Sequence, residues 1–152
     1  MPHLTSTPHS LVNARQRGNR RQSFHLTVVS TNVRGLCTNV DDLSHNFMLR
    51  QNADVVAVTE TWLNDEVEHT FGRISGYSLW VRKHRNNRAG GGVTACFKDG
   101  LQIQELYVTV PQMTEVLFFR VILADNSGLL LCIMYCPPKQ GRAPLNFLTQ
   151  KN

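Results

Sequence analysis

Two oxygen-bearing side chains close apolar, β-branched runs that lie far apart in the chain. Asn32 follows the run at 24–31, and Glu60 follows Asp54-Val55-Val56-Ala57-Val58-Thr59. Runs of this kind read as buried strands, and ligands of open α/β sheets collect beyond the carboxyl ends of strands. A carboxylate there suits a hard cation such as Mg²⁺ or Mn²⁺, and an amide oxygen beside it could converge on the same point. The plainer alternative is a strand-end carboxylate that faces water. A second chemistry is phosphate neutralisation. Arg82, Lys83, Arg85 and Arg88 precede Gly90-Gly91-Gly92, where a glycine backbone could come close to a nucleic-acid strand. The competing reading is a solvated hairpin tip whose glycines only permit a turn or bulge.

The elements that would position these groups follow from the pattern. Gly35 breaks the first strand, and Asn39 or Asp41 is expected to cap a helix carrying Leu43, Phe47 and Leu49, which ends near Asn52. The strand at 54–59 then completes a β-α-β unit. Its two strands are expected to be parallel, with Asn32 and Glu60 both at carboxyl ends. An acidic turn around 64–68 leads to strands at 78–82, 93–97, 101–107, 115–124 and 129–135. Asp125-Asn126-Ser127-Gly128 forms the turn of the last hairpin. Pro137-Pro138 stops the final strand, and 143–150 opens a helix. Trp62 is expected to pack under the site rather than to stack on bases, and His84 to lie at the surface.

A chain of 152 residues, 41% hydrophobic and 18% charged, is sized for about one globular domain. No apolar run reaches the roughly 18 residues that span a bilayer. The net charge of +5 favours a polyanion, either nucleic acid or an anionic membrane surface. Residues 1–22 hold Arg15, Arg17, Arg20 and Arg21 and no acidic residue, the composition of a disordered basic tail. The tail shares its Arg-rich, acid-free character with mitochondrial transit peptides but lacks their apolar helical face, which leaves mitochondrial targeting open. Residues 23–152 are expected to be the folded portion of the chain, the N-terminal part of a domain. The four cysteines read by default as buried free thiols, and the lone C-x₃-C of Cys132 and Cys136 is no metal site by itself.

Asn32-Val33-Arg34-Gly35-Leu36, the Thr59-Glu60-Thr61-Trp62-Leu63 end of the second run, Gly90-Gly91-Gly92-Val93 and Tyr135-Cys136-Pro137-Pro138 occur in this order. Together they resemble the endonuclease/exonuclease/phosphatase superfamily. More narrowly, they resemble the apurinic-type endonuclease domain at the front of non-LTR (LINE-like) retrotransposon polyproteins. The resemblance covers about the first half of that domain. It implies an α+β fold, a truncated two-sheet β-sandwich flanked by helices, that hydrolyses phosphodiesters or phosphomonoesters with Mg or Mn. It further implies that Glu60 binds the metal, that Asn32 bonds a phosphate oxygen, a carboxylate or a metal-bound water, and that Tyr135 reaches toward the phosphate. Arg82, Arg85 and Arg88 then become the nucleic-acid contacts. Two departures stand out. Arg34 replaces the acidic residue common two positions after the asparagine, and neither an Asp-x-Asn nor a Ser-Asp-His segment occurs in the chain. The expectation is therefore a piece of a DNA-nicking retroelement endonuclease, inactive alone. The alternatives are a non-catalytic nucleic-acid-binding remnant or a relative acting on phosphoinositide or sphingolipid head groups. DNA is the expected partner, with no membrane and no specific protein partner, in an intracellular setting, nuclear or cytoplasmic.

Overall fold

In the computed structural model, residues 25–83, 90–111, 114–137, 146 and 148–149 are described. The expected basic tail, His84, Arg85, Arg88 and most of the expected final helix lie outside them. The first strand, β1 (Val28–Asn32), starts later than the apolar pattern suggested and ends on Asn32. A tight turn through Arg34 and Gly35, both at positive φ, leads into α1 (Leu36–Asp42).

The helix begins before the expected cap. Gly35 occupies the N-cap position without a side-chain hydrogen bond. Asn39 instead works from inside the first turn, where its amide donates to the carbonyls of Val33 and Gly35 at 3.0 and 2.8 Å. The helix continues through a π-helical segment (Leu43–Met48) into α2 (Leu49–Gln51). It stops where Asn52 adopts a left-handed conformation, a usual helix ending. Leu43 is buried and Phe47 is partly buried against the core, but Leu49 is 54% exposed and not part of the apolar face.

The chain then forms β2 (Val55–Thr59), parallel to β1 and paired from Val28↔Val55 to Asn32↔Thr59. β3 (Val81–Lys83) and β4 (Val93–Phe97) complete a four-stranded sheet in the order β1-β2-β4-β3. A second, antiparallel sheet holds β5 (Gln102–Leu106), β6 (Glu115–Ile122) and β7 (Gly128–Tyr135) in sequence order.

β2 reads as one apolar run because both of its faces are covered. Val56 and Val58 face the helix with Leu36, Met48 and Trp80, while Val55 and Ala57 face the second sheet with Phe97, Phe119 and Leu131. Phe97 and Phe119 meet edge-on at 4.8 Å across the two sheets. The architecture is therefore α+β, two sheets with a helix against one of them. Among the cysteines, Cys96 is buried, Cys132 and Cys136 are half-buried, and Cys37 is exposed on the first turn of α1, against expectation. Burial pushes the Cys96 thiol far above its ordinary pKa, which keeps it protonated.

Candidate active site

The carboxyl ends of β1 and β2 are joined by their outgoing loops. The amides of Val33, Gly35 and Leu36 donate to the carbonyls of Thr59, Glu60 and Thr61 at 3.1, 2.8 and 2.9 Å. On the other side of this segment, Trp62 N donates to the Gly91 carbonyl at 3.0 Å. Glu60 is thus held between the β1–α1 turn and the glycine run that precedes β4. Arg34, Glu60 and Trp62 are three of the positive-φ non-glycine residues among those described, with φ of 49°, 55° and 56°. Left-handed backbone is costly for such residues and persists where surrounding contacts over-determine it.

The positive φ at Glu60 has a geometric result. Alternation along β2 points Val55 and Ala57 toward the second sheet and Val56 and Val58 toward the helix. Continued regularly, it would aim Glu60 at the helix side. The left-handed residue ends that alternation, and the carboxylate meets the second sheet instead. There, Tyr135 Oη donates to Glu60 Oε1 at 2.6 Å, across 75 positions of sequence. Tyr135 reaches this point because it is the last residue of β7 and packs with the layer between the sheets.

Glu115 lies beside this pair and was not singled out in the sequence. It opens β6, stands opposite Tyr135 in the ladder, and is only 2% exposed. Gly92 N donates to its Oε1 at 2.5 Å, which ties the glycine run to the second sheet. The available signal was a lone carboxylate at the inward parity of an otherwise apolar strand, since Leu117, Phe119 and Val121 share that face.

Within the glycine run, close approach requires glycine at Gly92. Gly90, Gly91 and Gly92 all have positive φ, and a Cβ on Gly92 would collide with Thr61 Oγ1. Gly91 and Gly92 are buried, so this run packs against the site instead of lying open as a cradle.

The expected site residues are thus distributed as follows. Glu60 and Tyr135 are in contact. Asn32 is exposed at the end of β1, opposite Thr59 and so one residue short of Glu60 in register. Arg82 lies on β3, where its guanidinium donates to the Val67 carbonyl at 2.6 Å. Among the described residues, no three His, Cys, Asp or Glu side chains gather as a metal cage.

No protein-family model and no curated protein matches the sequence. Solved structures do match. One is a 3′-5′ exonuclease, NExo, from Neisseria meningitidis, with a TM-score of 0.53 and 13% identity over 80% of this chain and 48% of the other. A second is described as the 3′ phosphatase NExo (D146N) from Neisseria bound to product DNA hairpin. It has a TM-score of 0.54 and 15% identity over 80% of this chain and 50% of the other. The fold is therefore of the exonuclease/phosphatase type, and the chain spans about half the length of those structures.

Proposed function

We propose that this chain carries the metal- and phosphate-facing half of a phosphodiesterase centre that cuts DNA, of the kind that opens non-LTR retrotransposon polyproteins. The observation that supports this reading most is the 2.6 Å bond from Tyr135 to Glu60. It brings together the ends of both sheets, at the place where the resemblance puts a metal-binding glutamate and a phosphate-facing tyrosine. The DNA-bound structural neighbour supports DNA as the ligand class.

The donor set fits Mg²⁺ or Mn²⁺. It consists of oxygen atoms, with Glu60 as the carboxylate and the Asn32 amide as a nearby supplement. Mg²⁺ keeps several waters and needs only one or two protein carboxylates, so a three-residue cage is not required. When bound, the ion supplies charge neutralisation at the phosphoryl oxygens. Tyr135 orients the Glu60 carboxylate, and Asn32 offers an amide donor to a phosphate oxygen. Arg82, Arg85 and Arg88 are assigned to the flanking phosphates. The chain contains no Asp-x-Asn or Ser-Asp-His segment to orient a water and stabilise the leaving oxygen. Turnover by this chain alone is accordingly not expected.

The test has three parts. Calorimetric titration with Mn²⁺ should show weak binding by wild type and none by Glu60→Gln. Equal binding by both removes Glu60 as the metal ligand. DNA binding should be indifferent to sequence and fall steeply with salt through counterion release. Absence of binding, or binding insensitive to salt, overturns the DNA assignment. A plasmid-nicking assay with Mg²⁺ should give background cleavage for wild type and Glu60→Gln alike. Robust Glu60-dependent nicking shows instead that these residues suffice for turnover. Salt-sensitive DNA binding without Glu60-dependent metal binding selects a non-catalytic nucleic-acid-binding module, a reading that the +5 charge also favours.

A further inference from the structure

Trp62 does not pack beneath the site. It stands two residues beyond Glu60 and is 50% exposed. The chain's other tryptophan, Trp80, is 3% exposed and donates from Nε1 to the Gly72 carbonyl at 2.9 Å. The backbone explains the difference. Glu60 and Trp62 are both left-handed while Thr61 between them is buried, so the chain folds Thr61 inward and turns the indole out.

The indole is also fixed in place. Trp62 N is bonded to Gly91, and its six-membered ring rests on Gly35, where a Cβ would lie 3.0 Å from Cε3 and 3.4 Å from Cζ3. Gly35 has a φ of 109°, so both the backbone and the ring call for glycine at that position. The preceding residue, Arg34, is exposed and cationic. One side of the ring is pinned, another is open to solvent, and a guanidinium-bearing residue adjoins the support. That arrangement meets the physical requirements of a stacking platform: a pre-ordered π-face beside a phosphate-neutralising charge.

We propose that Trp62 stacks on an unpaired nucleobase of the DNA strand whose phosphate faces Glu60 and Tyr135. This proposal rests on the DNA reading above. It assigns to Trp62 the neighbouring nucleotide, with contact to the base and not to the backbone.

The experiment uses the full chain and two strands of equal length and charge, oligo-dT and its abasic counterpart. Oligo-dT should quench the exposed fraction of the tryptophan emission, and the abasic strand should leave it unchanged. In anisotropy titrations with labelled strands, Trp62→Ala should weaken oligo-dT binding by about 5- to 150-fold, the range for loss of one base–aromatic stack. The same variant should bind the abasic strand as wild type does. Trp62→Phe should recover most of the affinity. Trp62→Leu, which keeps an apolar group over Gly35 without a π-face, should not. Emission from buried Trp80 reports that each variant is folded. If both strands bind equally, with no quenching and no effect of Trp62→Ala, the platform is overturned while the DNA reading stands. If neither strand binds, both are overturned.

Discussion

β2 carries a carboxylate at each end, and the two are used in opposite ways. At the amino end, Asp54 Oδ2 accepts from Thr27 N at 2.8 Å and Oδ1 lies 3.5 Å from Lys98 Nζ. Its surroundings serve the chain in the same manner. Tyr77 Oη donates to the Ala53 carbonyl at 2.6 Å, and Lys98 Nζ also reaches Asn52 Oδ1 at 2.8 Å. At the carboxyl end, Glu60 sits on left-handed backbone and meets a side chain from the other sheet. A concavity of about 390 Å³ adjoins Asp54, lined among others by His25, Leu101, Ile122 and Asn126. It lies at the end of β2 opposite Glu60 and Tyr135. Both ends hold left-handed residues, Asn52 and Asn126 near Asp54 and Arg34, Glu60 and Trp62 at the other end, but only at the second is the carboxylate-bearing residue itself left-handed.

Glycine substitution tests that contrast most strongly. Gly92→Ala should destabilise by about 2–5 kcal/mol, combining left-handed strain with overpacking against Thr61. Gly100, at the Asp54 end, has a φ of 98° but nothing within 4 Å of an added Cβ. Gly100→Ala should therefore cost only the strain, about 1–2 kcal/mol. Urea denaturation gives both values. Adding Thr61→Ala should restore the steric part at Gly92 and nothing at Gly100. Equal losses at the two glycines would mean that close approach does not distinguish the ends.

The carboxylates themselves can be compared by the same change. Asp54→Gly removes a charged acceptor from Thr27 N, about 1.5–3 kcal/mol, and adds chain entropy, about 0.5–1 kcal/mol. Glu60→Gly likewise loses a hydrogen bond to a carboxylate, about 1.5–3 kcal/mol, and a similar chain-entropy term, but it relieves about 1–2 kcal/mol of left-handed strain. It should therefore melt above Asp54→Gly. A Glu60→Gly variant as unstable as Asp54→Gly would make Glu60 another fastening. Tyr135→Phe removes the same bond from the other side, about 1.5–3 kcal/mol. A double-mutant cycle with Glu60→Gln should show coupling of at least about 0.5 kcal/mol, since the two groups touch.

The sequence made the strand framework readable, because it depends on apolar pattern and turn chemistry. Val55 to Val58 are apolar at every position since a helix covers one face and a sheet the other. Asp125 to Gly128 are turn formers between two apolar runs, and a hairpin joins them. Glu60 stands out as a strand-end carboxylate and Tyr135 only through the family resemblance; the bond between them links two sheets, and no local pattern encodes such a pairing. Trp62 was misread for a related reason. Its exposure depends on two left-handed residues, a backbone state that a side-chain pattern does not report for Glu or Trp. The start of α1 was missed because its N-cap is Gly35, and Asn39 binds the loop carbonyls from within the helix. Glu115 was passed over because a carboxylate at a strand start ordinarily faces water.

The smallest expected effect concerns Asp125, in the turn beside the Asp54 end. Its Oδ1 accepts from Ser127 Oγ at 2.5 Å and from Ser127 N at 2.9 Å. These bonds, the side-chain one first, hold the carboxyl below its ordinary range. A pKa lowered by folding means that the unfolded chain binds this proton more readily. The associated stability is present above the unfolded value of about 3.9 and fades as pH falls through the lower folded value. Asp125 is fully exposed to solvent, so the contribution is small. Asp125→Asn keeps the turn geometry and removes the titration. The melting temperature of wild type relative to this variant should be constant between about pH 5 and 7 and decline below about pH 4, where the lost charge leaves the two turns alike. Salt should scarcely change the difference, because the lowering comes from short hydrogen bonds within the turn. A difference that stays constant down to pH 2 would show that the Ser127 bonds do not stabilise the ionised form. Asp125 would then no longer stand with Asp54 as a carboxylate that serves the fold.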